Sequence, residues 1–418
     1  MRKGSLVLTW VILMSLCLVG AASPQVVIRH WQHHHESRTP VLESVAKEFE
    51  KRNPGVTIEF EPIPYDAYFD KLLTALASKT GPDVFQVPMG FGIEMSRSGL
   101  LAPVPESVFT TKEIEASFLP WTVSQFKYNG KYYGLPTDVQ TLVMFVNDTL
   151  LKEAGLDPNK PPRTWSELIE QSRIVTKRDK SGKIIQGGLD TRYKWAVINL
   201  FLHQSINGPV VDVAKKRVTY GEREGLEAWN LIAQLMTGPE AVDSPTFLTG
   251  QMKFEQERAA FYINHPVTRG RLELNHPDIK WSVHHVPAPD GHDLSKPTTV
   301  GHHWAYVANA KTQNQKLAWQ WIQFLASEEV QRKWVLESRD LPSLIRLVND
   351  PELTPDLEAK IAMDSLQFAR PFEGVGRNDV DEIRNEIWDN IVIGGMSVEK
   401  AVSAGAMAET NLIQRKLR

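Results

Sequence analysis

The sequence predicts an α/β fold, because stretches with the two-residue period of strands alternate with stretches of helical period, and turn residues punctuate them. Val26 to His30 is a short apolar strand that ends at Trp31 and a QHHHES loop. From Thr39 to Lys51, Val41, Leu42, Val45, Ala46 and Phe49 share one helical face, and Asn53-Pro54-Gly55 stops the helix. Val56, Ile58 and Phe60 then alternate with Thr57 and Glu59 as in a half-buried strand. Strand, helix, strand in that order is a βαβ unit, which calls for parallel pairing.

A second helix follows at Asp66 to Lys79, with Tyr68, Leu72, Leu73 and Leu76 at helical spacing, and Thr80-Gly81 closes it before a third strand through Val84 and Val87. Leu142 to Asn147 is a further strand. Thr164 and Glu167 have the spacing of a capping box, so a helix begins at Trp165 and that tryptophan is read as structural. Late in the chain, Val286 to Leu347 reads as a strand, an ornate loop, a second strand and an amphipathic helix.

At the N-terminus Arg2 and Lys3 precede an apolar run from Leu6 to Val19, and Gly20, Ala21 and Ala22 follow, the layout of a secretory signal cut after Ala22. The run of about 14 residues is short of the roughly 20 that span a bilayer. Cys17 is the only cysteine and lies inside this segment. Leu16 before it disfavours a lipid anchor, and the exported chain has no disulfide. The 418 residues carry a formal net charge of -3 and are 42% hydrophobic, so neither nucleic acid nor an acidic membrane surface is an expected partner. The 12 Trp and 9 Tyr exceed what a core needs.

Several segments carry a family resemblance. They are Phe49-Glu50 with Pro54 and Val56, Lys71-Leu72 with Gly81-Pro82-Asp83-Val84, and Gly99-Leu100-Leu101-Ala102-Pro103. Further along come Gly130-Lys131-Tyr132-Tyr133-Gly134-Leu135-Pro136, Ala154-Gly155-Leu156, and Pro161-Pro162-Arg163-Thr164-Trp165. The last are Pro287-Ala288-Pro289-Asp290-Gly291, Ala318-Trp319-Gln320-Trp321-Ile322 with Phe324-Leu325, and Leu341-Pro342. In this order they resemble the carbohydrate-binding solute receptors of bacterial ABC importers, the extracellular solute-binding proteins of maltose-binding type. The resemblance implies two lobes around a ligand cleft, each a mainly parallel sheet flanked by helices. It places the lobes at 23–139 with 285–338 and at 140–284 with 339–418, after a leader at 1–22. His265 stands where the family has a lobe-crossing tryptophan, a departure that implies either a smaller or more polar ligand or a ring elsewhere, such as Trp195 or Tyr193, covering that face.

A pyranose presents an apolar C–H face and a rim of hydroxyls, so its site needs aromatic rings and polar side chains together. In doubly wound sheets such groups gather at the C-terminal ends of strands. The candidates are Trp31, His33 and His34 after the first strand, Gln86 and Met89 after the third, and Asp138 and Gln140 at the first crossing. Trp195, Asn264, His265, His302, His303, Trp304 and Arg339 complete the set. Each has a plainer role open to it: Trp31 as a roof of the core, Asp138 and Gln140 as hinge caps, Arg339, like Arg370, as a solvated ion-pair partner.

Three consecutive histidines at 33–35 and pairs at 284–285 and 302–303 raise the question of zinc, but neighbours on a strand point to opposite faces and no metal-ligand spacing is present. Nothing calls for a cofactor. There is no G-x-S-x-G, and a glycosidase's two carboxylates are always available among 50 acidic residues. The expected protein is a monomeric receptor in the periplasm or at the outer face of the cytoplasmic membrane, delivering sugar to ABC permease subunits. A receptor for a glycerol-phosphate-type or metal-linked solute, and a secreted glycan hydrolase, are the alternatives.

Overall fold

A computed structural model describes residues 25–191, 193–248 and 252–417, so the leader read at 1–22 and Cys17 lie outside the described residues. Ten strands carry the architecture. They are β1 (Val26–His33), β2 (Val56–Ile63), β3 (Val84–Pro88), β4 (Leu135–Gln140) and β5 (Val143–Asn147). Then come β6 (Ile184–Asp190), β7 (Ala259–Asn264), β8 (Trp281–His284), β9 (Thr299–Ala308) and β10 (Ala369–Pro371). One sheet runs β10, β9, β3, β1, β2, with β4 also paired to β9; the other runs β8, β5, β7, β6 and the short strand Lys177–Arg178. Helices flank both sheets, so the chain has the expected two-lobed α/β architecture.

The sheets are mixed rather than mainly parallel. β1 is parallel to β2 and β3, as the βαβ reading requires. β9, however, is antiparallel to β3 and β4, and β5 is antiparallel to β7 and β8. β4, β5, β8 and β9 are the strands that border passages between the sheets. A chain arriving from the other lobe is free of the short right-handed crossover that keeps neighbours parallel.

The helix Arg38–Arg52 buries Val41, Leu42, Val45, Ala46 and Phe49, the stripe its spacing predicts, in one core with Ile28, Ile58 and Val84. Gly55 then takes a φ of +89, which a side chain would resist, and turns the chain into β2. Leu73, expected on the inner stripe of the next helix (Tyr65–Ala77), is instead 41% exposed. β1 continues past His30 in register with β2 as far as His33 opposite Ile63, so Trp31 and His33 belong to a strand and not to a loop.

The capping box at Thr164 forms: its hydroxyl accepts from the Glu167 N–H, and the Glu167 carboxylate accepts from the Thr164 N–H. Trp165 is buried there and donates its indole N–H to Gln204 Oε1 at 2.8 Å.

The second core gathers Met144, Val146, Leu189, Leu200 and Phe261 with Val380, Ile387 and Leu412 from the C-terminal helices. Leu341, Leu344, Leu347 and Leu353 bury in the first core. The helix Leu357–Asp364 touches both sides, with Met363 in the first core and Ile361 against the cluster of Phe145 and Val283. Each buried side chain of this size is worth about 1.5–3 kcal/mol. Among the described residues no helix is long and apolar enough to cross a membrane.

Candidate functional site

The chain passes between the two sheets at three places, and the site is built where they converge. β4 hands over to β5 through Thr141 and Leu142. β9 pairs with β10 at Thr299–Gly301 and with β3 at Trp304–Ala308, and Val300 buries in the second core while Tyr306 and Ala308 bury in the first, so one strand serves both lobes. The third passage leads through Ser365–Phe368 into β10. Thr299 Oγ1 donates to the Leu142 carbonyl at 2.7 Å, and the hydroxyls of Thr141 and Ser365 lie 2.5 Å apart, so side chains pin the passages to one another.

Beside them lies a buried ionic cluster. Arg38, at the start of its helix, donates through Nε and Nη2 to the Asp340 carboxylate at 2.6–3.0 Å, and its Nη1 lies 3.1 Å from Asp138 Oδ2. Gln140 also donates to Asp340 and accepts from the Val267 N–H at 3.4 Å, which ties the cluster to the second lobe. Gln86 Nε2 donates to Asp138 Oδ2 at 3.2 Å, while Asp138 Oδ1 has no hydrogen-bond partner. One guanidinium therefore serves two buried carboxylates. Burial pushes the Asp138 carboxyl up to about 7 against the pull of Arg38. Burial works against the charge of Arg38 too, but Asp340 and Asp138 hold it above its ordinary value.

Next to this cluster a cavity of about 270 Å³ is lined from both sides. The first lobe supplies Trp304 as floor, 6% exposed, with Phe69 and Phe91 stacked at 4.8 Å as a wall. Trp304 is backed by the His33 ring at 4.4 Å. The second lobe supplies Arg377, Asn378 and Asp381 from the first turns of the helix Arg377–Val392. Arg377 lies over Trp195 at 4.8 Å and Phe372 at 4.5 Å, and its Nε donates to Asp381 Oδ2 at 2.8 Å. His302, from β9, faces Trp195 at 5.3 Å and His265 at 5.9 Å.

These histidines are neutral at ordinary pH. Burial holds His302 well below its usual value, helped by Arg377 and His265; burial likewise brings His265 down to about 4 and His33 to about 3. His302 Nε2, Arg377 Nη1 and Trp195 Nε1 are buried without hydrogen-bond partners. All three can meet ligand hydroxyls, the two neutral rings without desolvating a charge and the guanidinium with the carboxylate of Asp381 beside it.

The structure divides the residues read from the sequence. His302 and Trp304 line the cavity and His33 backs Trp304, with Trp195 and His265 on the adjoining shelf, where His265 also contacts Tyr193 at 3.2 Å. Gln86, Asp138 and Gln140 belong to the ionic cluster. Met89 is fully buried in the second core, its N–H bonded to the His303 carbonyl at 3.0 Å. Asn264 bonds the Tyr262 hydroxyl and accepts the His265 N–H.

Four others lie elsewhere. Trp31 packs under the Lys71 ammonium at 4.6 Å. His34 is exposed and bonds Thr39 at 3.1 Å. His303 points through the opposite face of β9 into the first lobe, against Trp121 and Phe126, as the strand pleat demands. Arg339, at a φ of 64, pairs with Glu273 at 2.9 Å. Among the described residues no three His, Cys, Asp or Glu side chains are placed to hold a metal ion.

Tyr65, Asp66, Phe69, Asp70, Phe91, Arg377 and Asp381 were not anticipated. One signal was available: Tyr65, Phe69 and Leu73 repeat every four residues off the buried stripe of their helix, which puts an aromatic and apolar row outward.

The model of the family described as bacterial extracellular solute-binding protein matches residues 35–332. A maltotriose-binding protein of Pyrococcus abyssi is 25% identical over 342 residues, covering 80% of this chain and 70% of that one. A putative binding protein of Brucella abortus is 24% identical over 340 residues, 79% of each chain. Among solved structures, an ABC transporter solute-binding protein from Thermotoga lettingae bound with α-D-tagatose superimposes with a TM-score of 0.80 at 23% identity. That likeness covers 93% of this chain and 100% of that one and reports on the fold.

Proposed function

This chain belongs to the bacterial extracellular solute-binding protein family, and we propose that it is the receptor that captures a sugar or oligosaccharide between its lobes and delivers it to an ABC importer. The observation that carries this reading is one cavity with an aromatic floor and wall from the first lobe and an arginine and carboxylate from the second. Trp304 takes the C–H face of a sugar ring, and His302 Nε2 and Arg377 Nη1 take its hydroxyls. Trp195 and His265 extend this surface on the second lobe. His33, Gln86, Asp138 and Gln140 stand behind it, Met89 and Asn264 fix strand ends, and Trp31, His34, His303 and Arg339 take no part.

A ligand that touches both lobes favours the closed arrangement by the difference in its affinity for the closed and open states. The lobes divide at the three passages, with residues 341–353 riding with the first because their leucines bury there. The exported protein works as a monomer, performs no turnover of its own, and meets the permease as a separate chain. The maltotriose-binding relative and the tagatose-bound neighbour support a carbohydrate as cargo.

Thermal unfolding against a panel of mono- and oligosaccharides tests the reading. A ligand at about 100 times its Kd adds roughly 2.7 kcal/mol of stability. Trp304→Ala is expected to abolish the shift given by the bound sugar and Trp31→Ala to keep it. A panel in which no carbohydrate shifts the transition, or in which a sugar is hydrolysed well above the blank, removes the proposal.

A further inference from the structure

Resting on the carbohydrate reading, we infer that the cargo carries a protonated amine, as a hexosamine or its oligomers do. The argument starts from the charges that line the cavity. Among the described residues these are Asp66, Asp70, Asp381 and Arg377. Arg377 is committed to Asp381 at 2.8 Å, which leaves two negative charges at the mouth with no cation to answer them.

Asp66 and Asp70 are exposed, stand four residues apart on the helix Tyr65–Ala77, and make no ion pair among the described residues. Like charges at this spacing repel and weaken a helix. The one lysine of that helix does not relieve them, since Lys71 turns away to Glu61 and the Trp31 ring. A cation entering the mouth would.

Behind the carboxylates the cavity offers ring faces. Trp304, Phe69 and Phe91 line it, and an ammonium over such rings gains from their quadrupoles. Deeper still, His302 and Arg377 are 6% and 7% exposed, and each keeps a nitrogen without a partner. The cavity therefore asks for two things at once, a cation near its mouth and oxygen acceptors at its floor. An aminated sugar supplies both, whereas a neutral sugar supplies only the second. A phosphorylated sugar would set its negative charge against two unpaired carboxylates and an arginine already engaged, which disfavours a glycerol-phosphate-type cargo.

The experiment is calorimetric titration of the protein with glucosamine, galactosamine and the dimer of glucosamine. Each is paired with its neutral and N-acetylated counterpart, and glucose 6-phosphate is included. The aminated member of the binding pair is expected to win by about tenfold, and the advantage to shrink as salt is added. In the Asp66→Asn/Asp70→Asn protein, whose thermal transition confirms that it is folded, that advantage is expected to collapse to about one. A neutral, N-acetylated or phosphorylated sugar that binds as tightly as its amine overturns the inference and leaves the receptor standing. Binding of no sugar in the panel overturns both.

Discussion

Two buried arginines, one in each half of the molecule, are treated differently by their surroundings. Arg384 sits among the helices of the second lobe and meets a single carboxylate, Glu409, at 2.7 and 3.1 Å; its remaining donors go to Asn199 and the Glu373 carbonyl, and Tyr220 fills the other side of Glu409. Charge is matched one to one and the hydrogen bonds are complete. Arg38, at the passages between lobes, faces two carboxylates, and Asp138 Oδ1 is left over. The matched pair fixes how helices of one lobe pack. The mismatched cluster holds one carboxylate more than its arginine can answer, and burial there favours a proton on Asp138.

Breaking the matched pair should have the largest effect. Arg384→Met strands Glu409 in the core and is expected to cost about 3–5 kcal/mol in denaturant unfolding, at any pH where Glu409 stays ionised. Arg38→Met strands Asp340 in the same way, but its cost should also depend on pH, rising through about 7 as Asp138 loses its proton and becomes a second stranded charge. Equal losses for both variants across the pH range would erase the distinction drawn between the two sites.

The proton balance sharpens it further. The folded-state value of Asp138, about 7, lies above the ordinary 3.8, so the folded protein keeps a proton that the unfolded chain releases, and stability from this group falls as pH rises through that window. The buried histidines act in the opposite sense. His30, His33 and His203, brought to about 3 by burial, and His265 and His303, brought to about 4, are neutral when folded, while the unfolded chain takes up protons below 6.5. Their contribution is lost as pH falls from 6.5 toward 3–4, and five such groups outweigh one carboxyl. The protein should therefore lose stability on acidification, and Asp138→Asn, lacking the opposing proton, should lose it more steeply between 7 and 4. Parallel melting-temperature profiles for parent and variant would show that Asp138 titrates normally.

The smallest effect belongs to the surface. Lys416 joins Glu94 of the first lobe and Asp379 of the second at 3.1 Å each, all three partly solvated. Lys416→Met should change stability by less than about 1 kcal/mol. A larger loss would mean that exposed pairs across the cleft matter as much as buried ones.

What could be read from the chain followed from local rules. Val41 to Phe49 announced a helix because apolar spacing alone decides which face packs, and Thr164 with Glu167 announced the next because a cap is made within one turn. The opposite facing of His302 and His303 also follows from the pleat. Which of the two faces the cavity does not, since that depends on register between β9 and its neighbours from residues 84–88 and 135–140. Trp31 and His33 looked like loop residues because Gln32 and the histidines interrupt the apolar pattern, although backbone pairing with β2 carries the strand onward. Phe69, Phe91 and Arg377 are separated by hundreds of positions from one another or by intervening strands, and only tertiary closure makes them one wall.

β9 has a mechanical meaning as well. Its ten residues run from Thr299 to Ala308 as one strand with a register shift against β4 between Trp304 and Ala305, bonded to β10 at one end and to β3 at the other, and Gly301 in the β10 pairing has no room for a side chain, because a Cβ there would come 2.8 Å from the Trp121 ring. Relative rotation of the two ends cannot be absorbed by a slack loop at this point; it has to be spread as twist along a hydrogen-bonded ribbon. A ribbon behaves as a torsion spring, with a restoring torque that grows with angle. Rotation of the halves about this strand is therefore opposed by its twist, and reversing it requires no segment to refold.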